Sequence, residues 1–224
     1  MRFAFFMKKN KHTIQAEKYL KLLLDPKDYR IYYTDTLEYL FYDNRFESAD
    51  YYISYLSSHI FNKPQLKQAK IAAINFHPGP PEYPGMGCYN FAIRDGVKKY
   101  GATCHFMAEK VDAGPIIAVE RFNIFDNISV EILQQMTLNY LFSLFTKIMG
   151  ILLSGGQLES NGEVWKREAY TREDLKELTH IRLPLDDDVE KDIGRQIQAA
   201  YYPYAQDPPY IKINGKKWRL EQYE

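Results

Sequence analysis

Two rhythms alternate along this chain. Short apolar runs without a helical period, at residues 2–7, 29–33, 51–56 and 71–76, read as buried strands. Between the first two, Thr13 is placed to cap a helix reaching about Leu24, with Ala16, Tyr19, Leu20 and Leu23 on one face. This opening is a βαβ start of the doubly wound kind, and it predicts an α/β fold with a mostly parallel, Rossmann-like sheet. Residues 34–50 are aromatic and acidic and suit one short irregular helix, and residues 65–70 lead toward the fourth run. Residues 86–99 read as a helix ended by Gly96. Residues 102–110 and 116–124 read as antiparallel strands joined through a turn at Asp112.

A long apolar helix follows over residues 129–153, with Leu133, Met136, Tyr140, Leu141, Leu144, Ile148 and Leu152 at helical spacing. Glu131, Gln134, Gln135, Asn139 and Lys147 interrupt it, so a core helix is expected rather than a bilayer span. Ser154-Gly155-Gly156 stops it, and the character of the chain changes there. The expected division is a main domain over 1–156 and a C-terminal extension of helices and a β-hairpin over 157–224. In that extension Thr171-Arg-Glu-Asp174 resembles a capping box. Asp186-Asp187-Asp188 suits the start of a helix running to about Ala200. An aromatic, proline-stiffened stretch follows (Tyr201, Tyr202, Tyr204, Tyr210), and Asn214-Gly215 signals a hairpin. Its two-residue register pairs Ile211 with Trp218 and Lys212 with Lys217. Facing like charges need solvent, so the Ile–Trp face is expected to be the buried one.

Length and charge narrow the function. The chain has 224 residues, enough for one sizeable domain or a domain with a small appendage. Lys+Arg and Asp+Glu both number 29, a balance that argues against a nucleic-acid binder. Cys88 and Cys104 form neither a disulfide framework nor a metal-ligand spacing, so reduced thiols and no metal are expected. The apolar N-terminal run is too short for a secretory signal, which leaves a cytoplasmic protein without a membrane partner as the expectation. No Gly-x-Gly-x-x-Gly loop follows the first strand, and Gly85-Met86-Gly87 lies in a proline-rich loop, so a dinucleotide cofactor is not indicated. The basic loop at 8–12 can hold phosphate by charge or be a solvated turn.

The chemistry concentrates in residues 74–117. The fourth apolar run delivers Asn75 and His77 and then meets Pro78-Gly79-Pro80-Pro81, which can continue neither strand nor helix. Polar groups are thereby left at a strand end, where α/β sheets bind ligands. Asp112 sits before Ala113-Gly114-Pro115 on a second turn. An amide, an imidazole and a carboxylate on two loops suit acyl transfer: an oxyanion donor, a polarisable ring, and an orienting or proton-accepting acid. Singly, Asn75 can cap a turn, His77 can be a structural histidine and Asp112 a plain turn residue. His105, on the strand between them, fits either a partner to the site or a core histidine.

Asn75-x-His77-Pro78 with its glycine-bearing loop, Thr103-x-His105 and Asp112-x-Gly114-Pro115 resembles the folate-dependent formyltransferases, and HPGPPEYPGMGCYNFAI resembles their nucleotide-aminosugar branch. The resemblance implies Asn75, His77 and Asp112 as catalytic residues and N10-formyltetrahydrofolate as formyl donor. It implies donor-binding at Ser58, His59, Ile60, Met107, Val111 and Asp112. It also implies substrate-binding at Lys9, Asn10, Tyr83, Gly85, Tyr89, Asn90, Tyr201, Tyr202 and Tyr204. A dTDP-linked 4-amino-4,6-dideoxyglucose for surface-polysaccharide synthesis is the implied acceptor, with the 3-amino isomer and glycinamide ribonucleotide as alternatives and a non-enzymatic folate- or nucleotide-sugar-binding protein as the reading outside enzymes. A homodimer through the C-terminal segment is implied as well.

Overall fold

The computed structural model describes residues 1–35, 47–181, 189–200 and 208–220. Six strands form the main sheet in the order β2-β1-β3-β4-β5-β6. The first four are parallel: β1 (Phe3–Met7), β2 (Tyr29–Tyr33), β3 (Ala49–Tyr55) and β4 (Ala69–His77). The last two, β5 (Lys99–Phe106) and β6 (Ile116–Asn123), run antiparallel. The expected α/β class and mostly parallel sheet are both present.

Strand alternation decides which layer each side chain joins. Phe3, Phe5 and Met7 face α1 (Ile14–Leu23) and α4 (Val130–Leu153), packing with Leu20, Phe145, Ile148 and Met149. Ala4 and Phe6 point the opposite way, onto Tyr52 and Phe61. A third cluster joins α3 (Cys88–Arg94) to Tyr100, Phe122 and Leu133, and reaches Ala199 of α6 (Val189–Ala200). The sheet is thus covered on both faces, as a βαβ winding requires.

Several local expectations change. The hydroxyl of Thr13 caps no helix N–H; it donates to the carbonyls of Lys8 (2.6 Å) and Asn10 (3.0 Å) and so closes the loop after β1. Leu23 is exposed because the buried stripe of α1 is carried by Ala16 and Leu20. The stretch before β4 holds an unexpected turn of helix, α2 (Lys63–Leu66), started by a reciprocal cap between Asn62 and Gln65. The helix α3 ends at Arg94, with Gly96 at φ 63 just beyond it. Among the described residues α4 is long and apolar enough to cross a bilayer; here Leu133, Leu141, Leu144, Phe145 and Leu152 are buried in the core.

The capping box at Thr171 and Asp174 is present at the start of α5 (Arg172–Leu178). The hairpin forms in the expected register from β8 (Tyr210–Ile213) and β9 (Lys216–Arg219), and β7 (His180–Ile181) adds a third strand. Its Ile211–Trp218 face is not covered, however: Trp218 is 56% exposed. Within the single chain this face stays open, which leaves a second subunit as the surface that would bury it. Residues 36–46, Asp186 to Asp188, Tyr201, Tyr202 and Tyr204 lie outside the described residues.

Candidate active site

The strand order reverses between β1 and β3, and ligands of open α/β sheets bind at the carboxyl ends flanking such a reversal. A cleft of about 1000 Å³ opens there. It is walled by the loop after β1 (Lys8, Asn10), the loop after β3 (Leu56 to Phe61), the end of β4 and the turn between β5 and β6. That volume sits at the top of the ordinary range for small-molecule pockets.

At its floor Asn75, His77 and Asp112 converge, joined by His105. Register makes this unavoidable: β4 pairs with β5 so that Asn75 lies opposite His105 and His77 opposite Thr103. Asp112 Oδ2 lies 3.1 Å from His77 Nδ1 and accepts the Gly85 N–H at 2.8 Å. Asp112 Oδ1 lies 3.2 Å from His105 Nε2 and 3.4 Å from Asn75 Nδ2. His77, His105 and Asp112 are buried, while Asn75 is half-buried on the cleft wall.

Hydrogen-bond accounting constrains the rings. His77 Nε2 lies 2.8 Å from the Tyr83 carbonyl, which can only accept, and its Nδ1 faces a carboxylate. Both nitrogens of His77 are therefore held inside the protein. His105 Nδ1 donates to the Phe106 carbonyl at 2.8 Å. Its Nε2 sits between the Asn75 amide at 3.1 Å and Asp112, so it can accept from one or donate to the other, but not both. Burial works against ionisation of Asp112. The neighbouring His77 ring, the His105 ring and the Gly85 N–H outweigh it and hold the carboxyl well below the usual carboxylate range.

The backbone is bent to build this arrangement. Asp112 (φ 44) and Leu56 (φ 52) both adopt the left-handed conformation although neither is glycine, and both line the cleft. Such strain persists only where surrounding structure enforces it, and it collects at functional sites. Gly114 is enforced too, since a Cβ there would stand 1.8 Å from the Phe106 carbonyl oxygen.

Of the remaining expected site residues, Ser58, His59, Ile60, Met107 and Val111 line the cleft, as do Asn10, Gly85 and Tyr89. Three others stand elsewhere. The Asn90 amide is buried and donates to the Ala199 carbonyl at 2.7 Å, pinning α6. The Tyr83 hydroxyl donates to Asp95 while its carbonyl faces His77. The Lys9 ammonium sits over the Tyr33 ring. All three are held by partners away from the cleft. Sequence reasoning missed Trp165, whose indole N–H donates to the Gly114 carbonyl at 2.8 Å, and Arg172 on the cleft wall. No local pattern marks Trp165; the only hint was a tryptophan in an otherwise polar stretch.

Comparison with known proteins agrees with this geometry. Residues 42–145 match the family model described as Formyl transferase. Phosphoribosylglycinamide formyltransferase of Bacillus subtilis is 40% identical over 63 residues, 28% of this chain and 32% of that one. The chain thus spans about a third of the length of that curated relative. Among solved structures, a sugar N-formyltransferase from Shewanella sp FDAARGOS_354 superposes with a TM-score of 0.76 at 18% identity, covering 99% of this chain and 97% of that one. A 4-N formyltransferase from Francisella tularensis gives 0.74 at 19% identity, with 99% of each chain covered. The N-formyltransferase from Helicobacter canadensis, in complex with folinic acid and dTDP-3-aminofucose, also gives 0.74, at 18% identity, over 97% of this chain and 86% of that one. Identities this low establish the fold. Residues 42–145, somewhat under half of the chain, are thus the part similar to the formyl transferase model, and they carry Asn75, His77, His105 and Asp112.

Proposed function

We propose that this protein moves a formyl group from N10-formyltetrahydrofolate to the amino group of a nucleotide-linked dideoxy aminosugar. The observation that carries the reading is the convergence of Asn75, His77, His105 and Asp112 at the floor of a cleft of about 1000 Å³ on the carboxyl edge of the sheet. Folate fits the side of the cleft built by Ser58, His59, Ile60, Met107 and Val111, where polar and apolar side chains stand together beside the strand-end turn at Leu56. When bound, the donor supplies an activated one-carbon acyl group. The solved structures described with folinic acid and with dTDP-3-aminofucose or dTDP support a folate and a nucleotide-sugar ligand.

The residues of this chain divide the work. Asn75 lends an amide N–H to an acyl oxygen that gains negative charge, a donor worth roughly a hundred- to a thousandfold in rate. As the new C–N bond forms and the bond from the formyl carbon to N10 breaks, the acceptor amine loses a proton and the departing N10 takes one up. Asp112 is the ionised base in the cleft, and such help is worth about a hundred- to ten-thousandfold. His77, held by Asp112 and the Tyr83 carbonyl, orients the carboxylate.

Within this reading the acceptor is a dTDP-4-amino-4,6-dideoxyglucose, made in the cytoplasm for surface polysaccharide. Its nucleotide would lie toward Asn10, Lys11 and Arg172, the cationic and polar part of the cleft wall. A second reading, glycinamide ribonucleotide as acceptor, is favoured by the identity to the Bacillus subtilis enzyme. The basic, glycine-free loop at 8–12 weighs against it. We also propose a homodimer, in which a second copy covers the exposed Ile211–Trp218 face.

Purified protein incubated with formyl-folate and a panel of amines tests the reading: dTDP-linked 4-amino and 3-amino dideoxyhexoses, their UDP analogues, and glycinamide ribonucleotide. Formamide product on a sugar nucleotide is expected. Product on glycinamide ribonucleotide alone would move the assignment to the second reading.

A further inference from the structure

The segment after α4 is sewn onto the catalytic loops. The N–H of Asn161 donates to the Ile116 carbonyl (2.9 Å), that of Lys166 to Pro81 (3.0 Å) and that of Tyr170 to Pro84 (2.9 Å), and Met86 returns a bond to Tyr170 (2.9 Å). Arg121 bridges Glu82 and Glu163 across the same seam. Trp165 lies in the middle of this strap. Its Nε1–H reaches the Gly114 carbonyl, two residues beyond Asp112. Its ring stands edge-to-face against His105, with centroids 5.0 Å apart at 90°, and against His77 at 5.8 Å and 71°.

These contacts fall on the parts of the site least able to hold themselves. Asp112 is in a left-handed conformation that it does not favour by itself. Gly114 must stay packed on the Phe106 carbonyl, the same oxygen that fixes the His105 ring. A bond that anchors the Gly114 carbonyl from the far side restrains both. An apolar ring over two imidazoles also keeps water from their ring N–H groups, where a low dielectric strengthens each hydrogen bond.

We propose that Trp165 is a positioning residue for the Asn75–His77–Asp112 centre. It touches no reacting atom. It locks the Asp112 turn through Gly114 and seals the back of His77 and His105, so that a residue far outside the site-bearing loops completes the site. The kinetic part of the test rests on the formyl-transfer reading; the spectroscopic part does not.

The experiment compares the full-length protein with Trp165→Phe, Trp165→Ala and, as a control at an exposed position of α1, Leu22→Ala. Trp165→Phe keeps a ring and loses the hydrogen bond, so kcat is expected to fall about fivefold with both KM values within twofold. Trp165→Ala is expected to lose roughly a hundredfold in kcat, the scale of a small misplacement in an active site. In proton spectra recorded in water, the low-field imidazole N–H resonances of His77 and His105 should persist in Leu22→Ala and vanish by solvent exchange in Trp165→Ala. A Trp165→Phe or Trp165→Ala enzyme with unchanged kcat, or a loss confined to KM, would overturn the proposal. If the wild-type protein formylates no amine at all, the spectra decide: imidazole resonances unaltered in Trp165→Ala sink it, and their selective loss sustains it.

Discussion

His77 Nδ1 and Asp112 Oδ2 stand 3.1 Å apart, both buried, with the other ring nitrogen of His77 committed to the Tyr83 carbonyl. Both ring nitrogens of the histidine are therefore held by protein partners at the cleft floor. All three of the trio line the cleft; Asn75 is the half-buried one, and Asp112 is the group whose charge the others maintain. Replacing Asp112 by Asn removes that charge while keeping the shape. The expected outcome is a loss of roughly a hundred- to ten-thousandfold in kcat with donor affinity nearly unchanged, measured by steady-state kinetics and equilibrium folate binding.

The same carboxylate ties stability to pH. Its folded-state pKa is depressed below the ordinary 3.8, so the stabilisation from its ionised form is complete above that value and drains away as pH falls beneath it. Urea titrations at pH 3, 5 and 7 should show wild-type stability dropping most between pH 5 and 3. Asp112→Asn should lower stability at pH 7 and flatten the acid limb. An identical pH slope for the two proteins would remove Asp112 from the linkage.

Gly85 joins conformation to chemistry. It has φ 84, its N–H donates to Asp112, and a Cβ would meet the Tyr170 carbonyl oxygen at 2.3 Å. Gly85→Ala should cost about 1–3 kcal/mol from strain alone. That corresponds to a melting point lower by about 2–12 °C for a chain of this size. Activity should fall further than stability, because the displaced loop takes a hydrogen bond from the base. Calorimetry beside kinetics separates the two losses.

Asn75→Ala probes the oxyanion donor. A drop of about a hundred- to a thousandfold in kcat is expected. The fold should survive, since Asn75 is half-buried and its neighbours His105 and Asp112 remain paired with each other. A retained rate in Asn75→Ala would assign the donor role elsewhere.

The hairpin supplies the assembly test. Trp218 is 56% exposed beside Ile211 and the exposed Ile213. Burying such a face against a second copy is favourable by roughly 25 cal/mol per Å² of apolar surface removed from water. Sedimentation velocity should give a dimer for the wild type and a monomer for Trp218→Asp. A wild-type monomer at micromolar concentration would exclude the proposed interface.

Much of this was legible in the residue order. Period-2 and period-3.6 patterns are local, so β1, α1, β2, β3, α4 and the Asn214-Gly215 hairpin follow from near-neighbour chemistry. Prolines after His77 and the Gly-Pro after Asp112 are local breakers, and they mark the two loops that carry the site. The sequence by itself therefore determined the elements, the loops and the residue types the chemistry needs. Only tertiary structure decided what those residues do. Pairing of β4 with β5 put His105 against Asn75 and Asp112, and the bends at Gly85 and Asp112 gave the carboxylate its donors. The strap after α4 brought Trp165 to the back of the imidazoles, while partners elsewhere drew Lys9, Tyr83 and Asn90 away from the cleft. These outcomes depend on contacts between segments distant in sequence, whose energies sum over the whole packed chain and leave no trace in any short window of residues.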